Sequence, residues 1–425
     1  MHTTISPVQS IRGRLKVPGD KSISHRALML AAIAEGQSRI EGLATGADVL
    51  STKACMQQLG VEIEAAANAL IVKGRGLAAL HAPAQALDAG NSGTTMRLLS
   101  GILATRPFAT TLIGDASLSR RPMRRIIAPL ELMGAKVTAT AEGKAPLTIH
   151  GGKLNSMQYR LPVASAQVKS CVLFAGLDAE GETIVIEPSA TRDHSERMLA
   201  AMGAELRGEH NRIGIRRSTL HGMNISIPGD FSSAAFLIAA ALLLSNSEAV
   251  LESVNVNPTR TAFLEVLKSM GATLALEGSN GPSFEPVATL HVQAQRLQGV
   301  RVNEALVPQL IDEVPILAVL ATQAEGETII TGAQELRVKE SDRLAALTTS
   351  LRAMGANVEE LADGLIVRGP TRLHGAELDS FHDHRIAMAF AIAGLCADSP
   401  TTIQHAECAD ISFPGFFELL KEHCH

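Results

Sequence analysis

The chain has 425 residues, a formal net charge of −5, and 46% hydrophobic against 19% charged residues. That balance fits a globular protein and excludes both bulk disorder and a global basic field. With no Trp and a single Tyr there is little surface on which bases could stack, so no nucleic-acid partner is expected. The length exceeds one typical core, and two or three domains are expected. Five cysteines are scattered without CxxC or Cys/His metal spacing. His423-Cys424-His425 reads as a frayed tail rather than a metal site. The start, Met1-His-Thr-Thr-Ile, lacks the basic-then-apolar pattern of a signal peptide. The most apolar run, Ala234 to Leu244, is shorter than the roughly 20 residues that span a bilayer. A soluble cytoplasmic protein without a membrane partner is the expectation.

In chain order, six polar clusters open directly into Ala- and Leu-rich runs. They are Lys21-Ser-Ile-Ser-His-Arg26, Asn91-Ser-Gly-Thr-Thr-Met-Arg97, Ser165-Ala-Gln-Val-Lys-Ser170, Asp230-Phe-Ser-Ser233, Asp312-Glu-Val-Pro315 and Asp383-His-Arg385. Counted between Ser22, Ser92, Ser165, Ser232, Asp312 and Asp383, the spacings are 70, 73, 67, 80 and 71 residues. A period this long means repeated supersecondary units. Ser, Asp and Asn cap helix N-termini, and such ends attract anions. Several of these ends carry Lys or Arg, which points to a highly charged anionic ligand.

A second series interleaves with the first. Leu59-Gly60, Met133-Gly134, Met202-Gly203, Met270-Gly271 and Met354-Gly355 each end an amphipathic stretch at Gly, and an alternating strand follows. Glu182-Thr-Ile-Val-Ile186, Glu327-Thr-Ile-Ile330 and Pro400-Thr-Thr-Ile403 read as short strands ahead of those stretches. Each unit is therefore expected to run helix, strand, helix, strand, strand, with the first helix buried all round. The sixth is truncated after a last helix at Phe416 to Lys421. Its missing strands are expected from Ile11-Arg-Gly-Arg-Leu-Lys-Val17, which would bring the chain ends together.

The fold class is α/β, as two similar domains of three units each. Pro18-Gly19-Asp20 and Pro228-Gly229-Asp230 are matching breaks. They set one domain at 19–228 and the other at 229–425 plus 1–18, with hinges near 18–20 and 228–230. A ligand held by helix ends of both halves is expected in the cleft between them.

The charges refine this. Val17-Pro-Gly-Asp-Lys21-Ser22 is not a P-loop, because Asp20 stands where Gly must precede Lys. Arg337-Val-Lys339-Glu340-Ser-Asp342-Arg343 is the densest cluster, and it shares its place in the repeat with Arg120-Arg121, Arg192 and Arg260. A solvated face has no reason to recur at one topological position, so these arginines are read as functional. Asp312 is either a helix cap or, ringed by Lys and Arg, a base or the partner of a substrate hydroxyl.

Pro18-Gly-Asp-Lys-Ser-Ile-Ser-His-Arg26, Gly90-Asn-Ser-Gly-Thr-Thr-Met-Arg97, Ser165-Ala-Gln-Val-Lys-Ser170, Arg337-Val-Lys-Glu-Ser-Asp-Arg343 and Asp383-His-Arg-Ile-Ala-Met388 together resemble the 5-enolpyruvylshikimate-3-phosphate synthases along essentially the whole chain. The resemblance implies two domains of three βαβαββ-type units, an inside-out α/β barrel. It implies transfer of the enolpyruvyl group of phosphoenolpyruvate to the 5-hydroxyl of shikimate 3-phosphate, by a monomer, with no metal or organic cofactor. By similarity Lys21, Ser22, Arg26, Ser165, Ala166, Gln167, Arg192, Asp312 and Lys339 bind shikimate 3-phosphate. Lys21, Gly93, Arg121, Gln167, Arg343 and Arg385 bind phosphoenolpyruvate. Asp312 takes the 5-hydroxyl proton, Glu340 exchanges a proton with the enol methylene carbon, and Lys21 completes the catalytic set.

Ser165-Ala-Gln167, Thr191-Arg-Asp-His194 and Glu335-Leu-Arg337 resemble the second bacterial subgroup. Ile411-Ser412 stands where enterobacterial-type members carry Lys before the last Phe-Pro. Two rival readings are a UDP-N-acetylglucosamine enolpyruvyl transferase and a non-catalytic anion-binding protein. The first uses a mobile loop with a reactive Cys, and none lies near Arg120-Arg121-Pro122.

Overall fold

Every repeat is built on one helix with no solvent face. In the first, β3 (Glu35–Glu41) follows the helix α1 (Lys21–Ile33), and α2 (Ala47–Gln58), β4 (Glu62–Ala66) and β5 (Ala69–Arg75) complete it. Two strands precede it, β1 (His2–Ile5) and β2 (Arg12–Leu15). The second repeat runs β6 (Leu87–Asp88), α3 (Gly93–Leu103), β7 (Ala109–Ile113), α4 (Arg124–Leu132), β8 (Lys136–Thr138) and β9 (Leu147–His150). The third runs β10 (Gln158–Arg160), α5 (Ala166–Gly176), β11 (Glu182–Ile186), α6 (His194–Ala201), β12 (Leu206–Glu209) and β13 (Arg212–Arg216). After β14 (Asn224–Ser226) the fourth comprises α7 (Phe231–Leu243), β15 (Glu248–Asn255), α8 (Ala262–Ser269), β16 (Ala275–Gly278) and β17 (Val287–Gln293). The fifth has a short α9 (Val307–Leu310), then α10 (Val314–Gln323), β18 (Gly326–Ile330), α11 (Arg343–Ala353), β19 (Asn357–Leu361) and β20 (Gly364–Gly369). The sixth ends the chain with β21 (Glu377–Asp379), α12 (His384–Leu395), β22 (Thr401–Gln404) and α13 (Phe416–His423). This computed structural model describes residues 2–209, 211–278 and 284–425.

The described residues form six small sheets, one per repeat. In the second, third and sixth, the strand ahead of the buried helix pairs parallel with the strand behind it: β6 with β7, β10 with β11, β21 with β22. Those helices are therefore crossover connections of βαβ type. The first and fourth sheets take their leading strand from elsewhere in the chain. Strand β14 lies parallel to β3 (Ile225 beside Ile40), and β2 lies parallel to β15 (Gly13 beside Ala249).

This corrects one expectation about the N-terminus. The alternating segment around Arg12–Leu15 completes the fourth sheet, not the sixth; Ile11 and Leu15 bury their side chains there. The sixth repeat has no hairpin to cover β22, and the preceding β1 pairs antiparallel with that edge instead (Thr3 beside Ile403). The chain ends do meet. Ile11 bridges Cys424, and the carbonyl of His425 accepts the Gln9 N–H at 2.8 Å. The tail is tied down rather than frayed, and His423 Nδ1 lies 3.0 Å from the Arg12 carbonyl.

The chain folds into two compact units, each with its own apolar core. One comprises Gly19–Ile227 with Pro282–Glu285, the other Met1–Pro18, Pro228–Gly281 and Pro286–His425. In the first, α1 buries every residue from Ile23 to Ile33. In the second, α12 buries all of His384 to Leu395, and α10 everything from Val314 to Thr322. Among the described residues no single helix is long and apolar enough to cross a membrane.

The amphipathic helices end as their glycines require. Gly60, Gly134, Gly203, Gly271 and Gly355 all have φ between 87° and 107°. The next residue's N–H returns to the helix in each case, for example Ala272 to the Leu267 carbonyl at 2.9 Å. This is the Schellman closure. A different glycine sets the helix packing. A Cβ on Gly101 in α3 would sit 2.2 Å from the Cys171 carbonyl oxygen of α5, so only Gly lets these two backbones approach so closely.

These two positions give a prediction. Gly271→Ala meets open space and only strains φ, costing about 1 kcal/mol. Gly101→Ala must push α3 from α5 and should cost about 1–3 kcal/mol. Thermal unfolding of the two variants should show the larger drop for Gly101→Ala; equal melting temperatures would contradict the close approach.

Candidate functional site

In the unit built from the first three repeats, the polar groups gather at the N-terminal ends of the buried helices. Asp20 caps α1, accepting the Ile23 N–H at 2.9 Å; Ser92 caps α3 and Ser165 caps α5. Lys21, in the first turn of α1, lies 3.1 Å from Asp48 Oδ2 of α2. Gln167, in the first turn of α5, accepts from Arg97 Nη1 at 2.5 Å and donates to Thr94 Oγ1 at 3.0 Å. Arg121 Nη2 donates to Asn91 Oδ1 at 2.6 Å. Gly93 is the floor beneath two guanidinium groups: a Cβ there would be 3.2 Å from Arg97 Nη1 and 3.4 Å from Arg121 Nη1. Backbone N–H groups at a helix start together with Lys and Arg form an anion-binding surface.

Behind this surface runs a buried polar chain. His25 Nδ1 lies 2.6 Å from Thr52 Oγ1, Thr52 lies 2.6 Å from Thr95, and Thr95 donates to Ser92 at 2.7 Å. Burial first, then the charges of Lys21 and Arg26, pushes the His25 pKa well below its usual range, so the ring is neutral. Arg26 is only 3% exposed. It donates to Ser195 Oγ (2.7 Å), Ser170 Oγ (2.9 Å) and the Ser22 carbonyl (2.8 Å). Its pKa falls to about 10 because burial outweighs the nearby carboxylates.

The other unit gathers its charges around Asp312. The carboxylate stands 3.5 Å from Arg343 Nη1 and 3.8 Å from Lys339 Nζ through Oδ1, and 3.6 Å from Arg385 Nη2 through Oδ2. Arg385 Nη1 also holds the Asp312 carbonyl at 3.2 Å. Arg343 is buried and clasped by Asp383, with Nε to Oδ2 at 2.8 Å and Nη2 to Oδ1 at 3.2 Å. It also donates to Glu340 Oε2 at 2.7 Å. Burial opposes its charge, but Asp383, Glu340 and Asp312 more than offset this and raise its pKa. Asp383 performs two tasks at once, because Oδ1 also accepts the Arg385 N–H and so caps α12.

The question left open by the sequence for Asp312 is answered by α10. That helix starts at Val314 with Glu313 at its cap position and no side-chain cap bond, so Asp312 is not a cap. Its carboxylate faces three cations.

A family profile described as EPSP synthase (3-phosphoshikimate 1-carboxyvinyltransferase) matches residues 5–420. The chain belongs to the EPSP synthase family. A relative named 3-phosphoshikimate 1-carboxyvinyltransferase from Brevibacillus brevis is 49% identical over 98% of each chain. One of the same name from Synechocystis is 53% identical over 99% of this chain and 96% of its own. The solved EPSP synthase of Acinetobacter baumannii superposes with a TM-score of 0.89 at 46% identity, covering 100% of this chain and 98% of that one. The enolpyruvyl transferase NikO of Streptomyces tendae shares the fold, with a TM-score of 0.76 at 16% identity, over 99% of this chain and 96% of its own.

The residues singled out in the sequence fall into two groups. Lys21, Ser22, Arg26, Gly93, Arg121, Ser165, Ala166, Gln167 and Arg192 belong to one unit; Asp312, Lys339, Glu340, Arg343 and Arg385 belong to the other. The recurring arginines are not of one kind. Arg260 is buried against Asp230, Ser232 and Glu313. Arg337 holds the carbonyls of Leu361 and Ala362. Both serve their own fold, since a strand-to-helix turn leaves carbonyls and caps to satisfy. Sequence reasoning passed over Asp48, Asn91, Arg97, Ser195 and the clasping role of Asp383. Asn91, Arg97 and Asp383 sat inside the quoted motifs, whereas Asp48 looks like any first-turn acid. Among the described residues no group of three or more His, Cys, Asp or Glu is placed to hold a metal ion.

His25 makes a pH prediction. The unfolded chain takes up a proton near pH 6.5, the folded His25 only at lower pH. The stability this group supports above 6.5 is therefore lost as pH falls. Between about pH 6.5 and 5, His25→Gln should lose stability less steeply than wild type, by up to about 1.4 kcal/mol per pH unit. Equal slopes in urea titrations would mean that folded His25 takes up its proton as readily as the unfolded chain does.

Proposed function

We propose that the residues described above divide between them the reaction for which the family is named. The chain is a 3-phosphoshikimate 1-carboxyvinyltransferase: it moves the enolpyruvyl group of phosphoenolpyruvate to the 5-hydroxyl of shikimate 3-phosphate and releases phosphate. Both substrates are polyanions, and bringing them together costs Coulomb energy that fixed cations must offset. Lys21, Ser22, Arg26, Ser165, Ala166, Gln167, Arg192 and Lys339 hold shikimate 3-phosphate, with Asp312 at its 5-hydroxyl. Lys21, Gly93, Arg121, Gln167, Arg343 and Arg385 hold the carboxylate and phosphate of phosphoenolpyruvate. Arg forks suit both groups.

In the addition step a proton goes to C3 of phosphoenolpyruvate while the 5-hydroxyl oxygen attacks C2 and gives its proton to Asp312. In the elimination step C3 gives up a proton, the double bond re-forms and the C2–O bond to phosphate breaks. Glu340, oriented by its 2.7 Å bond from Arg343, serves C3 in both directions. Lys21 supports the charge on the bridging oxygen. The observation that carries most weight is the Asp312 carboxylate held between Lys339, Arg343 and Arg385. The proposed reading places this enzyme in the cytoplasm and needs no more than a monomer.

Two outcomes test this reading. Purified protein should release phosphate from phosphoenolpyruvate with shikimate 3-phosphate but not with UDP-N-acetylglucosamine. Tight binding of shikimate 3-phosphate without phosphate release would mean a binding protein. Asp312→Asn should lower kcat by about 10²–10⁴-fold. It also leaves three cations facing one fewer anion, so neither KM should rise. A variant with near-normal kcat would leave Asp312 without a catalytic role.

A further inference from the structure

The third repeat buries a lysine that this chemistry does not use. Lys169 lies on α5, two residues beyond Gln167, with its side chain 1% exposed. Lysine is almost never fully buried without a partner, because desolvating an ammonium is costly. Here Nζ bonds Glu187 Oε2 at 2.9 Å and Glu196 Oε1 at 2.6 Å, and reaches the Thr191 carbonyl at 3.5 Å. The Thr191 hydroxyl donates to the other Glu187 oxygen. Glu187 follows the end of β11, Thr191 immediately precedes Arg192, and Glu196 lies in the first turn of α6 beside Ser195.

Ser195 continues the network. Its Oγ accepts from Arg26 at 2.7 Å and lies 2.6 Å from Ser170, the neighbour of Lys169. Lys169 and Arg26 thus balance Glu187 and Glu196, a neutral set of four charges joining α1, α5, α6 and the turn after β11. Buried ion pairs contribute little net stability, and apolar side chains of similar volume often do better. What the set does provide is orientation. It fixes the backbone at Thr191 and the side chain of Arg26.

We propose that Lys169 is a positioning residue for shikimate 3-phosphate: through Glu187, Glu196 and the Thr191 carbonyl it presents Arg192 and Arg26 to the substrate's anionic groups. The inference rests on the assignment of those two arginines given above. Lys169 touches no reacting atom and acts only through its neighbours.

Lys169→Met alone would leave two buried carboxylates facing one cation, and such a change can prevent folding. The paired variant Lys169→Met/Glu196→Gln removes one charge of each sign and keeps the balance. Its KM for shikimate 3-phosphate should rise about tenfold, with kcat and the KM for phosphoenolpyruvate within about twofold of wild type. Thr191→Val keeps every charge, tests the same turn in a variant that should fold, and should raise the same KM alone by about threefold. Added to Arg192→Ala, the paired change should raise that KM by clearly less than its own factor of about ten, since part of its effect passes through Arg192. An unchanged KM in the folded paired variant and in Thr191→Val, or full additivity with Arg192→Ala, overturns the positioning role while leaving the substrate assignment standing. An Arg192→Ala enzyme with a normal KM for shikimate 3-phosphate sinks that assignment, and this inference with it.

Discussion

Helices with no solvent face have only their ends on which to carry polar groups, and the rest of this structure follows from that constraint. In α1, α7, α10 and α12 nearly every side chain is buried, so charge is confined to the first two turns and the residues just before them. Those positions also expose unbonded backbone N–H groups and the positive end of the helix dipole. Asp20, Ser92, Ser165, Asp230 and Asp383 each satisfy one such N–H with their side chain. Cations added beside them make the same ends suited to a polyanion. Packing and ligand binding are therefore two consequences of one pattern.

Cations crowded at helix ends repel one another unless anions are placed among them. Asp48 faces Lys21, Asp383 clasps Arg343, and Glu187 with Glu196 enclose Lys169. Such pairs contribute little net stability when buried. Their effect is to hold guanidinium and ammonium groups in place before an anion arrives, which is where electrostatic catalysis draws its strength. Asp312 departs from this pattern. The three cations beside it stand at 3.5–3.8 Å, farther than the partners in those pairs.

NikO has the same architecture at 16% identity, and an architecture does not by itself establish a reaction. The features that argue for a reaction here are particular side chains: Gly93 under Arg97 and Arg121, Gln167 bridging Arg97 and Thr94, and the cations about Asp312. Several belong to turns whose geometry is fixed by caps and by buried polar chains, such as His25–Thr52–Thr95–Ser92.

The six-fold repeat, the buried helices, the glycine closures and the residues proposed for the site could be read from the sequence, because each rests on a local rule. Burial periodicity, capping and C-terminal glycine act over a few residues, and the motifs are contiguous. Partners distant in sequence were not legible. Nothing near Arg12–Leu15 says that it pairs with β15, nor that His2–Ile5 closes the sheet of β22; strand pairing is decided by which edge is left open. Arg260 and Arg337 share a place in the repeat with Arg121 and Arg192, yet their own fold uses them up. Lys169 looks like one more polar residue in a helix until Glu187 and Glu196 are brought to it from 18 and 27 positions away. Local chemistry is written along the chain, but the charge that faces a buried group is chosen only when tertiary packing excludes water and leaves that group one partner.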